Sequence, residues 1–221
     1  MSASRNAAVV GGIAGIIGWI LFTIAFALAP TPPTLGAPSA EILHYATEHH
    51  TAMLAAAFIF GATTPFLTVW AGALAARLRH AEGEDAWLYL VFLGSAVVTA
   101  AVSTVTSFAW MTLSGRGWRA GEAIALTLMD GVNYGYIFTG FGSVAFVAAA
   151  SVVMIRAGYL ARALGQAGIV VAVLQAVYLF TAFFTDGLMV GGGLVTIVGF
   201  VALGLWLLGV SIMMIVRARS P

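Results

Sequence analysis

The sequence predicts an all-α fold, a polytopic membrane helix bundle with six transmembrane helices. Hydrophobic residues make up 62% of the 221-residue chain and charged residues only 8%, against roughly 25% charged in a soluble domain. Six long runs also lack Arg, Lys, Asp, Glu and His, and each can cross a hydrocarbon core about 30 Å thick as a helix. These runs are residues 8–29, 51–75, 87–112, 133–155, 163–184 and 192–216. We therefore expect residues 1–221 to form a single transmembrane domain embedded in a lipid bilayer.

The composition also excludes several classes of protein. A net charge of +1 gives no electrostatic basis for binding nucleic acid. The chain contains neither cysteine nor lysine, which removes thiolate metal sites and lysine Schiff bases. Since the runs also lack histidine, a haem held between them by paired histidines is not expected. We therefore predict no cofactor.

The arginines predict the orientation of the chain. Arg116 and Arg119 fall on one side of the predicted bundle, and the other seven fall on the opposite side. These seven are Arg5, Arg77, Arg79, Arg156, Arg162, Arg217 and Arg219. Because cytoplasmic loops carry the excess of basic residues, both termini are predicted to be cytoplasmic.

The connections differ in character. Residues 30–38 contain four prolines and cannot continue a helix. Residues 40–50 are predicted to form a short outer helix between the first two spans, either separate or continuous with the second. The apolar stretch 122–130 is expected to lie flat in the outer headgroup layer.

Aromatic and small residues add expectations about packing. Trp70 is expected near the inner membrane interface, where tryptophan is enriched, whereas Trp19 and Trp206 are expected between helices. Gly11 and Gly15 form a small-xxx-small pair in the first span, which permits close helix approach. That approach could occur within the chain or across a homodimer.

Candidate catalytic residues are the ionisable groups that lie outside the cytoplasmic layer. Helix lengths measured from the inner arginines place Asp130, Asp186 and His50 in the outer headgroup layer, because each residue advances a helix by about 1.5 Å. The middle of the predicted bilayer contains no ionisable side chain. A site for acid–base chemistry is therefore expected at the outer face.

Polar residues at helical spacing follow three of the predicted spans. We call them the polar stripes. Hydrogen bonding between helices is the favoured interpretation, and the alternative is a ligand-binding cavity that opens outward, with Asp130 and Asp186 at its rim. The stripes are Ser95, Thr99, Ser103, Thr106 and Trp110; Asn133, Tyr136, Gly140 and Ser143; and Gln175, Tyr178, Thr181 and Thr185. The residues expected to bind a substrate are Asn133, Tyr134, Tyr136, Gln175, Tyr178 and Trp110.

The segment Glu41–His50 invites comparison with a metal site. Glu41, His44 and Glu48 share one face of a helix, and a Glu-x-x-His pair occurs in di-iron bundles. The ligands of those sites come from four helices, whereas this chain has one copy of the Glu-x-x-His pair. A solvated polar face is the favoured interpretation, an acid–base or proton-sensing role is an alternative, and no metal site is predicted.

The stretch 40–50 and the sequence Trp70–Arg79, WAGALAARLR, resemble uncharacterised six-span integral membrane proteins common in actinobacteria. The resemblance covers about residues 36–80 and the layout of the spans. It implies a multi-pass fold in a bacterial inner membrane, and no activity or site residue.

Three hypotheses for function remain, and whether the protein is an enzyme stays open. The first is binding or processing of a lipophilic small molecule, with isomerisation or cyclisation as the expected chemistry. The second is a small-molecule transporter or exporter. The third is a non-catalytic subunit or scaffold that packs against a membrane partner.

Overall fold

The computed structural model describes residues 3–84 and 86–219 and shows six long α-helices joined by short connections. The helices are α1 (Ala3–Leu28), α2 (Ser39–Glu82), α3 (Leu88–Gly115), α4 (Glu122–Ala157), α5 (Arg162–Leu179) and α6 (Leu194–Arg219). Short 3-10 turns at Gly117–Ala120 and Phe180–Phe183 precede α4 and follow α5. These ranges contain no strand, which confirms the predicted all-α fold.

Each of the six helices is long and apolar enough to cross a membrane, as predicted. Helices that follow one another in the chain pack side by side, and α6 packs against α1, so the six form a closed ring. α2 and α4 also meet across its middle. We call the end of the bundle that holds Ala3, Glu82, Leu88, Ala157, Arg162 and Arg219 the termini face, and the opposite end the far face.

Two helices extend well beyond the others at the far face. α2 has 44 residues and α4 has 36, which correspond to about 66 Å and about 54 Å. Residues 40–50 are the first turns of α2, and residues 122–130 are the first turns of α4 rather than a separate flat segment. The extensions stay upright because they share an apolar core, in which Ile42 and Tyr45 join Ala125 and Met129.

The small residues of α1 mediate packing within the chain. A Cβ at Gly11 would overlap Ala73 of α2, and one at Gly15 would overlap Trp70 and Ser211. Close approach of the backbone is the means by which helices associate in lipid. The Gly11–Gly15 pair is therefore used inside the bundle.

Trp70, which was expected near the inner membrane interface, is 2% exposed and belongs to the core of the bundle. α2 continues for twelve residues beyond it, to Glu82, or about 18 Å. Trp206 packs between helices as predicted: it is buried, and its indole N–H donates to the carbonyl of Leu164 at 3.1 Å. Trp19 also lies between helices, stacked on Phe22 and beside Gly204.

The proline-rich connection 30–38 folds back over the far face. Leu35 is buried, and its backbone N–H donates to the carbonyl of Gly191 at 3.1 Å. The hydroxyl of Tyr45 donates to the carbonyl of Pro30 at 2.7 Å. The connections 30–38 and 184–193 thus cover the far end of the bundle.

Candidate functional site

A cavity of about 240 Å³ lies at mid-depth in the bundle. Residues of α1, α2, α3, α4 and α6 line it, and α5 supplies none of the lining residues described. We call it the central cavity.

Two sets of aromatic side chains bound the central cavity along the bundle axis. On the side of the far face, Phe22, Phe60, Tyr136 and Phe200 form a layer with ring centroids 5.5–6.1 Å apart. On the side of the termini face, Trp70, Phe92, Phe146 and Trp206 form a second layer with centroids 5.9–6.5 Å apart. Most pairs in these layers are tilted or edge-to-face, the geometry that the ring quadrupoles favour.

Small and hydroxyl side chains occupy the level between the aromatic layers. Thr63, Thr99 and Ser143 line the central cavity there. Thr63 and Thr99 each donate the hydroxyl proton to a carbonyl of their own helix, whereas the one hydroxyl proton of Ser143 has two acceptors within reach, the carbonyl of Gly140 and Gln175 Oε1. Thr64 and Ser103 also line the cavity, and their hydroxyls make no hydrogen bond within the part of the chain that the structure describes. None of the described side chains that line the cavity is charged. The cavity therefore suits an apolar molecule with few polar atoms.

The central cavity opens sideways. Thr68 of α2 and Val97 of α3 both line it and are both exposed on the surface of the bundle. Pro65 lies beside this opening in α2, where proline removes one hydrogen bond of the helix. Since the exposed lining residues lie at mid-depth, the entrance between α2 and α3 faces the surroundings of the bundle rather than either end.

The polar stripes reach the central cavity only in part. Thr99, Ser103, Tyr136 and Ser143 line it, but it opens at the side of the bundle, whereas the cavity considered from the stripes opened outward. Gln175 instead bridges three helices: its Oε1 accepts from the hydroxyl of Ser143 at 2.9 Å, and its Nε2 donates to the carbonyl of Gly199 at 2.7 Å. This stripe of α5 therefore supplies hydrogen bonding between helices.

Of the residues expected to bind a substrate, Tyr136 lines the central cavity and the others lie elsewhere. Asn133, Trp110 and Tyr178 are buried, and Asn133 Nδ2, Trp110 Nε1 and the Tyr178 hydroxyl lack a hydrogen-bond partner in the described residues. Tyr134 is 40% exposed. Trp110 and Tyr178 pack behind the lining, against Tyr136 at 6.1 Å and Phe200 at 5.4 Å between ring centroids.

The three candidate catalytic residues lie towards the far face, outside the central cavity. Asp130 is half-buried on α4, and Asp186 is exposed in the connection 184–193. The Nδ1 atom of His50 lies 2.9 Å from the carbonyl of Thr47, and its ring packs on Trp118 at 5.3 Å. The structure therefore separates these ionisable groups from the cavity that they were expected to border.

The segment Glu41–His50 is an exposed polar face of α2. His44 Nε2 lies 3.2 Å from Glu48 Oε2, and His49 Nε2 lies 4.0 Å from the same atom. Within residues 3–84 and 86–219, no group of three or more His, Cys, Asp or Glu side chains is arranged to hold a metal ion. The geometry is that of a solvated surface.

A second cavity lies at the termini face and was not anticipated. Arg77, His80, Tyr159 and Arg217 line it, although the sequence suggested only that these arginines orient the chain. The signal that could have revealed it is the pair of basic residues three apart at the end of α2, opposite the arginines that end α6.

Comparison of the chain with protein-family models, curated protein sequences and solved structures finds no match.

Proposed function

We propose that the protein binds a lipophilic small molecule in the central cavity and that the molecule enters from the bilayer between α2 and α3. The observation that carries this proposal is an uncharged cavity of about 240 Å³ held open between two aromatic layers. An apolar cavity of about 150 Å³ already admits benzene. The ligand class is thus a compact apolar molecule that can pass through lipid.

The lining supports binding rather than proton transfer. Acid–base catalysis most often uses a histidine or a carboxylate within about 3 Å of the reacting proton, and none of the described lining residues is either; Tyr136 is the one titratable residue among them. Thr64 and Ser103 offer hydroxyl groups beside the entrance. They would orient a ligand that carries one hydrogen-bonding group.

A photoreactive probe tests the proposal. The protein in lipid nanodiscs is irradiated with 3-trifluoromethyl-3-phenyldiazirine, and labelled peptides are mapped by mass spectrometry. We expect labelling of Thr63–Trp70 and Thr99–Ser103 above that of the lipid-exposed residues Val170 and Val173. Excess unlabelled toluene should compete at the cavity peptides only.

A matched pair of variants completes the test. Ala100 lines the central cavity, whereas the adjacent Ala101 is exposed on the outside of α3. Ala100→Phe should fill the cavity and reduce its labelling to the lipid-exposed level, and Ala101→Phe should leave it unchanged. Equal labelling in both variants would reject an occupied cavity.

We also propose a bacterial inner membrane location with both termini in the cytoplasm. The support is the distribution of arginine, with seven of nine at the termini face and the bias expected of cytoplasmic loops. Residues 40–50 would then form the outer, membrane-proximal turns of α2. A C-terminal alkaline phosphatase fusion should be inactive, and a C-terminal green fluorescent protein fusion should be fluorescent; the reverse pattern would invert the topology.

A further inference from the structure

The cavity at the termini face has a volume of about 340 Å³ and combines residues from three parts of the chain. Arg77 and His80 come from the end of α2, Tyr159 from the connection between α4 and α5, and Arg217 from α6. We call it the basic cavity. It is separate from the central cavity and does not depend on the function proposed for that cavity.

Among the described residues that line it, the basic cavity contains positive charge without a matching carboxylate. Of the lining residues described, two are arginines and none is acidic. Glu82, at the end of α2, has both carboxylate oxygens occupied by the backbone N–H groups of Leu88 and Tyr89, at 3.0 and 2.8 Å. Glu48, whose carboxylate lies close to His44 and His49, is on the far side of the molecule. Among the residues that the structure describes, no carboxylate lies within ion-pair distance of either guanidinium group.

In the described part of the chain, the guanidinium group of Arg77 also lacks a hydrogen-bond acceptor at one of its nitrogen atoms. Its Nε atom is buried and has no hydrogen-bond partner within the described ranges. A buried donor without an acceptor costs about 1–3 kcal/mol, and more when the group is charged. Such a donor beside a cavity is satisfied when an anion occupies that cavity.

The connection at 158–161 holds Tyr159 against the arginines. Gly158 and Leu160 both have φ near 63°, and Leu160 is the single non-glycine residue with positive φ among those described. A left-handed conformation costs a residue with a Cβ about 1–2 kcal/mol; here it places the Leu160 side chain, 1% exposed, in the core. Burial raises the pKa of the Tyr159 phenol, and the charges of Arg77 and Arg217 act to lower it. The phenol therefore stays a hydrogen-bond donor beside the two guanidinium groups.

We propose that the basic cavity binds a phosphate group through Arg77, Arg217 and the hydroxyl of Tyr159. Arginine binds phosphate by charge-assisted, often bidentate hydrogen bonds, and basic pockets between membrane helices bind anionic headgroups. The cavity lies where α2 and α6 end, at the level expected for lipid phosphates. The same chemistry would bind free phosphate, so the experiment distinguishes the two sources.

The test uses the purified full chain in detergent. Native mass spectrometry measures retention of phosphatidylglycerol against phosphatidylcholine, and a thermal shift assay measures stabilisation by inorganic phosphate. Loss of one charged hydrogen bond weakens binding by about tenfold or more, so Arg77→Gln and Arg217→Gln should each have that effect. Arg162→Gln, an exposed arginine outside the cavity, should have none.

Each outcome has a defined meaning. Preferential retention of phosphatidylglycerol that depends on Arg77 and Arg217 assigns the site to a lipid phosphate. Stabilisation by inorganic phosphate with the same dependence, and no lipid preference, assigns it to free phosphate. If Arg77→Gln fails to fold, two variants replace it: Arg77→Lys, which keeps the positive charge at position 77, and Arg217→Gln, which leaves Arg77 unchanged. No binding of either probe, or an equal loss in Arg162→Gln, overturns the proposal.

Discussion

Replacing Gln175 by leucine tests whether the stripe of α5 stabilises the bundle by hydrogen bonding between helices. Gln175 is 1% exposed and makes two such bonds, one with Ser143 of α4 and one with Gly199 of α6. Leucine has a similar volume, so Gln175→Leu removes the polar contacts without opening a large void. Ser143 also keeps an acceptor, since its hydroxyl lies 3.0 Å from the carbonyl of Gly140. The variant therefore leaves no hydroxyl donor unsatisfied.

The expected cost follows from the two lost bonds. Hydrogen bonds between membrane helices average about 0.6 kcal/mol and reach about 1.7 kcal/mol. Gln175→Leu should therefore lower the free energy of unfolding by about 1.2 kcal/mol, with an upper bound near 3.4 kcal/mol. The double variant with Ser143→Ala should show a coupling energy of about 0.6 kcal/mol.

The measurement is reversible unfolding in mixed micelles with increasing dodecyl sulfate, followed by circular dichroism. Gln166→Leu is the matched control, because Gln166 lies on the same helix and is exposed; its effect should stay within about 0.5 kcal/mol. A Gln175→Leu protein as stable as the wild type would refute the reasoning. So would a coupling energy of zero with Ser143→Ala.

Two further predictions concern packing and capping. Gly204→Ala should destabilise the bundle by about 1–3 kcal/mol through overpacking, because its Cβ would overlap the ring of Trp19. In the control Gly72→Ala the new Cβ meets no atom within 4 Å, so this variant should gain up to about 1 kcal/mol from helix propensity. Unfolding in mixed micelles compares the two variants, and equal effects would contradict the packing described for Gly204. Glu82→Ala should cost about 1 kcal/mol by removing an anionic acceptor from the N-terminus of α3, and hydrogen exchange at the amides of Leu88 and Tyr89 should accelerate. The exposed neighbour Glu84 provides the control, and unchanged exchange in Glu82→Ala would reject this cap.

The number and type of the helices could be predicted because apolar length is a local property. Each charge-free run maps onto one long helix, with ends that differ by a few residues except at the starts of α2 and α4, which lie 12 and 11 residues earlier. The extensions of α2 and α4 were harder to predict. Whether residues 122–130 lie flat or stand upright depends on contacts between Ala125, Met129, Ile42 and Tyr45, which are distant in the chain.

The position of the candidate site could not be predicted in the same way. Polar spacing identifies which face of α3 and α4 turns inward, and Thr99 and Ser143 do line the central cavity. Polar spacing does not distinguish a cavity from hydrogen bonding between helices, because the hydroxyl groups face the inside of the bundle in both cases. Gln175 makes hydrogen bonds between helices because the Ser143 hydroxyl and the Gly199 carbonyl lie within hydrogen-bond distance of it. The aromatic layers, including Trp70, are visible only once the helices are placed side by side.

The size of the central cavity is itself an argument that it is occupied in the membrane. Loss of packing around an empty cavity costs about 24 cal/mol for each Å³, so 240 Å³ corresponds to about 6 kcal/mol. That figure is comparable with the whole stability of a typical domain. The layers that contain Phe60 and Trp70 nevertheless keep the space open, while the small side chains of Ala96 and Ala100 leave its middle unfilled. An occupant that enters through the opening beside Thr68 and Val97 restores those contacts. Ala100→Phe should therefore stabilise the protein when it is stripped of lipophilic molecules, and should add little when toluene is present. An equal gain under both conditions would show that nothing binds there.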